Sequence, residues 1–88
     1  MYFISLGKFR QKPTVEATNK VSEAMKVMEK EGIKFLGFYW TLGRFDTVVI
    51  MEAPSERTVM KANMSVNDIV TTETMVGLTR EEAHKLIQ

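Results

Sequence analysis

The chain has no cysteine, one histidine, one tryptophan and two prolines among its 88 residues. Without cysteine there can be no disulfide, no thiolate nucleophile and no sulfur-ligated metal, and the composition fits a reducing compartment. The lone histidine, His84, argues against a transition-metal centre, which normally gathers several His or Cys ligands. A haem on one axial His would be the exception, since one protein ligand can suffice. Charge of one sign is also scarce. Twelve Lys and Arg stand against eleven Asp and Glu, a net charge of +1, which gives no electrostatic case for nucleic acid or a membrane surface. No apolar run approaches the ~20 residues of a membrane span. The opening MYFISLGKF has no basic stretch ahead of its apolar part, unlike a secretory signal. These features lead us to expect a soluble, cytoplasmic protein with no bound cofactor.

What is present is the composition of one folded domain over residues 1–88, with 44% hydrophobic and 26% charged residues. A first strand is expected over Tyr2–Phe9, ended by the polar stretch around Pro13. A helix should follow from Val15 to Glu31. Its apolar stripe is Val21, Ala24, Met25 and Met28, its cap is Thr14 or Thr18, and Gly32 stops it. Two strands, Ile33–Leu42 and Phe45 or Asp46 to Ala53, flank a turn centred on Gly43 and Arg44. Pro54 and an N-cap at Ser55 start a short helix to about Met64, with Val59, Met60 and Met64 facing the core. A Thr-rich strand spans Asp68–Val76. A terminal helix is signalled by the capping pair Thr79 and Glu82. The order β-α-β-β-α-β plus a helix is that of an α+β, ferredoxin-like fold. Right-handed crossovers then place both main helices on one face of an antiparallel sheet.

The stretch FLGFYWTL, residues 35–42, is apolar on both sides. Strict alternation sends Ile33, Phe35, Gly37, Tyr39 and Thr41 one way, and Lys34, Leu36, Phe38, Trp40 and Leu42 the other. In the next strand Val49 and Met51 oppose Val48 and Ile50. A sheet covered on one side should alternate apolar with polar. Leaving four or five large apolar side chains wet would forgo ~1.5–3 kcal/mol each. The bare face therefore implies a cover, either a second copy of the chain packed by two-fold symmetry or the terminal helix folded back over it.

The segment TLGRFDTVVIMEAP, residues 41–54, resembles the GYD domain family: an aromatic strand, a Leu-Gly-x-Tyr-Asp signature, and an apolar strand ending in Glu-Ala-Pro. Here the signature is Leu42, Gly43, Arg44, Phe45 and Asp46, with Phe for Tyr, and the close is Glu52, Ala53 and Pro54. The opening YFISLGKF, the Gly32 stop, the Tyr39-Trp40-Thr41 approach, the Thr71-Thr72-Glu73-Thr74 strand and the Thr-x-Glu-Glu tail extend the resemblance over nearly the whole chain. The region between Pro54 and the Thr-rich strand is about a helical turn short. The resemblance implies a ferredoxin-like, dimeric α/β-barrel type assembly, as a homodimer or larger ring, and no particular reaction.

Candidate chemistry is sparse. Arg44 and Asp46 could orient an anion or simply shape a hairpin, with Gly43 at positive φ and Asp46 bonding backbone amides. Glu52 and Glu73 are candidate general bases if buried, and solvated strand margins otherwise. Tyr39 and Trp40 either line a small-molecule cavity or serve as packing anchors. No serine sits in an activating motif, and the seven methionines read as pliable packing. MYFISL approximates the first-strand hexamer of RNA-recognition motifs, but LGRFDTVVIM lacks the later aromatics of their third strand. The expectation is a small-molecule-binding or interaction module acting as a homo-oligomer. The alternatives are a small enzyme acting on an apolar substrate, and an RNA binder.

Overall fold

The computed structural model describes residues 1–88. Its elements are β1 (Tyr2–Phe9), α1 (Val15–Lys30), β2 (Lys34–Trp40), β3 (Thr47–Glu52), α2 (Glu56–Val66), β4 (Val70–Gly77) and α3 (Arg80–Lys85). The strands form one antiparallel sheet in the order β2-β3-β1-β4. This is the expected split βαβ arrangement, with α1 and α2 on one face. No helix is long and apolar enough to cross a membrane.

Local chemistry explains where the elements start and stop. Thr14, not Thr18, caps α1: its hydroxyl accepts a hydrogen bond from the Ala17 N–H at 3.1 Å. Ser55 does the same for α2 through the Thr58 N–H at 3.3 Å, and Thr79 for α3 through the Glu82 N–H at 3.1 Å. Each bond satisfies a first-turn amide that has no partner within the helix. Gly32 ends α1 at φ 101° and Gly43 turns the hairpin at φ 106°, a region that costs other residues about 1–2 kcal/mol.

The core joins Phe3 of β1, Met51 of β3, Ile33 and Ala53 at strand ends, and Val59 and Ala62 of α2. The buried stripe of α2 is Val59, Ala62 and Val66, which corrects the expected trio. Met60 and Met64 are mainly exposed. The helix also runs two residues past Met64, so Ala62 and Val66 complete the i, i+3, i+7 face.

The sequence-based facing of β2 is also corrected. Phe35 pairs with Met51, but Gly37 pairs with Ile50, so Leu36 has no opposite partner. This β-bulge shifts the alternation by one residue. Phe38 and Trp40, opposite Val49 and Thr47, therefore join Phe35 on the helix side. Tyr39, opposite Val48, lies on the open side. Gly37 suits this geometry because a Cβ there would lie 2.9 Å from the Tyr39 ring.

The open face presents Ile4 and Leu6 of β1, Val48 and Ile50 of β3, Met75 of β4 and Tyr39 of β2. The terminal helix does not cover it. Every residue of α3 is exposed, and Leu78, Leu86 and Ile87 are also bare. The alternative of a fold-back is thereby excluded, and the apolar face is uncovered in the single chain.

An exposed methionine of α2 and a core methionine of β3 can be compared directly. Met51→Ala should cost about 2–5 kcal/mol, whereas Met60→Ala should stay within about 0.5 kcal/mol of wild type. Urea melts with unchanged m-values would check both.

Candidate functional site

The bulge has a further effect on the helix side. Phe38 and Trp40 project towards α1, but α1 does not close down on them. None of its residues is fully buried. Between them lies a cleft of about 320 Å³, walled by Phe9, Val21, Met25, Phe38 and Trp40. That is at the lower end of the roughly 300–1,000 Å³ range of small-molecule sites. Phe9 and Trp40 meet edge to face, with ring centroids 5.1 Å apart and planes at 67°, a favoured aromatic geometry. Phe9, Val21, Met25 and Phe38 also line a mainly apolar recess of about 70 Å³ that reaches Met28, Phe35, Val66 and Val70.

Polar groups collect at the mouth, where Arg10, Lys12 and Asp68 line the rim, all three of them exposed. The Nε of Arg10 donates to the Asn67 carbonyl, which ties the β1–α1 loop to the end of α2. Ser22 also lines the cleft, but its hydroxyl donates to the Thr18 carbonyl at 3.1 Å. It is hydrogen-bonded to no side-chain base.

The remaining candidate residues are dispersed. Asp46 is a structural clasp: its Oδ2 accepts the Phe9 N–H at 2.8 Å, while its own N–H donates to the Gly7 carbonyl at 2.8 Å. Its carbonyl accepts from the Thr41 N–H, closing the hairpin. Arg44 is exposed, with its guanidinium 5.6 Å from the centre of the Phe45 ring. Glu52 is half-buried at the end of β3, between Tyr2 and Lys34 across the strands. Glu73 is exposed on β4 opposite Leu6. These two carboxylates occupy different rows of the open face and converge on nothing. His84 is exposed on α3. No group of three or more His, Cys, Asp or Glu side chains is placed to hold a metal.

Of the expected pair of aromatics, only Trp40 lines the cleft. Sequence reasoning missed Phe9, Phe38, Arg10 and Lys12 as its companions. Val21 and Met25 were visible as a helix stripe, but the bulge that turns Phe38 towards them leaves the apolar pattern of the strand unchanged. Gly37 was the one available hint, since a glycine inside a strand often marks a bulge.

Comparison with known families agrees with this architecture. A model of the GYD domain matches residues 3–87. The chain belongs to the GYD domain family. A search of curated proteins finds no match. Among solved structures, SCO4226 from Streptomyces coelicolor A3(2) is similar with a TM-score of 0.61 and 16% identity, over 90% of this chain and 99% of that one. Part of a homoserine dehydrogenase from Thiobacillus denitrificans is similar with a TM-score of 0.53 and 16% identity, over 84% of this chain and 16% of the enzyme. Identities this low establish a shared fold and carry no activity across. In this GYD chain Asp46 acts as a backbone clasp.

Removing that clasp leaves the half-buried end of β1 without an acceptor. Asp46→Ala should lower stability by about 1–3 kcal/mol, Asp46→Asn by less, and Arg44→Ala by under about 0.5 kcal/mol. Thermal melts of the three variants would rank them.

Proposed function

We propose that this GYD protein is a small-molecule-binding module that works as a homo-oligomer, most simply a two-fold dimer in the cytoplasm. The observation that carries the binding reading is the cleft between β2 and α1. Phe38 and Trp40 are 38% and 58% exposed while Val21 and Met25 stand half-buried opposite them. Large apolar side chains left incompletely covered around one concavity are what an apolar guest would cover. No carboxylate is buried in the cleft, which favours holding a guest over transforming it.

The open sheet face supports self-association. Its central strands present Ile4, Leu6, Val48 and Ile50, with Lys8, Lys34 and Glu52 towards the ends of their strands and Glu73 midway along the edge strand β4. An apolar centre with a polar rim is the usual anatomy of a protein interface. A four-stranded face covers roughly 500 Å² in plan. Stable interfaces bury about 800 Å² per partner, so apolar side chains on the projecting terminal segment, Leu78, Leu86 and Ile87, would add to the contact. The aliphatic content of β3 also speaks against base stacking, because RNA-binding sheets of this topology place aromatics there.

Sedimentation equilibrium should return the mass of two or more chains at micromolar concentration. Ile50→Lys should shift the population to single chains, since an unpaired charge buried in the interface costs several kcal/mol. A wild-type chain that stays monomeric at high concentration would refute the assembly. For the cleft, Trp40 is the only tryptophan and reports directly. Decanol should move its emission to the blue, and Val21→Arg should abolish the shift. An unresponsive wild-type Trp40 would refute the binding reading.

A further inference from the structure

We infer that the cleft takes an amphiphilic monoanion, an apolar chain or ring with a single carboxylate-like head. This rests on the binding reading above and concerns which chemistry the site selects. The cleft is divided in polarity along its depth. Phe9, Phe38, Trp40, Val21 and Met25 line its body, and the recess beyond is mainly apolar. A guest that fills this volume must be apolar over most of its length.

The mouth is different. Two cations, Arg10 and Lys12, face one carboxylate, Asp68. This local excess stands out in a chain whose overall charge is only +1. The ion pairs of the chain engage Lys20, Lys26 and Lys61, and neither rim cation takes part in one. Arg10 is held at the rim by the bond from its Nε to the Asn67 carbonyl. That bond uses one N–H of a five-donor fork and leaves the rest of the guanidinium without a protein acceptor. An anchored guanidinium with free donors, beside an exposed ammonium, suits a planar carboxylate. The mouth does not suit a polyphosphate. The loop from Arg10 to Thr14 reads RQKPT and has no glycine to bring backbone amides against phosphate oxygens.

The test compares three probes that share a decyl chain: decanoate, decanol and decyltrimethylammonium. Each is titrated below its micelle threshold at neutral pH and low salt, with Trp40 emission as the readout. Decanoate should bind about five- to tenfold more tightly than decanol, the yield of two partly exposed charge contacts. Added salt should narrow that gap. The double variant Arg10→Gln with Lys12→Gln should bring decanoate down towards the affinity of decanol for the wild type. Lys26→Gln, on α1 but outside the cleft, should leave decanoate binding unchanged. Equal binding of decanoate and decanol would overturn the anion preference while leaving the apolar cleft intact. Tightest binding of decyltrimethylammonium would overturn it in favour of an aromatic cage for cations. A silent Trp40 with all three probes would overturn both this inference and the binding reading.

Discussion

Two helices can shield only one side of a four-stranded sheet, and in this chain both sides are apolar. The helix side holds the small core built on Phe3, Met51 and Val59. The other side holds Ile4, Leu6, Val48 and Ile50 with nothing of the chain's own over them. A monomeric antiparallel sheet would resolve this by alternating apolar and polar residues. Here the sequence leaves the demand unmet, and the proposed self-association follows from it. The terminal segment has the same character: α3 is bare along its length, and the exposed Leu78, Leu86 and Ile87 that flank it are of no use to an isolated chain.

The cleft arises from the same scarcity of cover. α1 is amphipathic, yet Val21 and Met25 do not reach full burial. The bulge at Leu36 turns Phe38 and Trp40 towards them, where simple alternation from Phe35 would send Tyr39. More apolar surface then converges between β2 and α1 than the helix can seal, and a concavity remains. The Asp46 clasp holds the far end of the arrangement by fixing the Phe9 amide, so the ring of Phe9 meets Trp40 from a defined position. The hairpin signature and the cleft are thus linked through the backbone at the end of β1.

Much of this could be read from the residues. Element order follows from hydrophobic periodicity, and the boundaries from side chains with defined backbone roles: Thr14, Gly32, Ser55 and Thr79. The expectation that Asp46 bonds backbone amides also holds. The facing of Phe38 and Trp40 could not be read, because a bulge is set by pairing with β3 and leaves the local pattern of β2 unchanged. The face of α2 was misjudged for a related reason. Met60 and Met64 look like core residues by type, but the helix buries Val59 and Ala62, which cluster with Phe3 and Ile33, together with Val66. The rim cations were invisible because Arg10 and Lys12 look like ordinary loop residues until the end of α2 is brought beside them.

The unpaired Leu36 also bears on how relatives of this chain should be compared. One residue gained or lost ahead of Phe38 would rotate the rest of β2 by half a turn. The same aromatic residues would then leave the cleft and join the surface proposed to meet another subunit. Homologues with the same aromatic side chains but a β2 one residue longer or shorter would therefore exchange a guest-binding role for an adhesive one without a single substitution. An alignment that absorbs such a gap would hide the exchange.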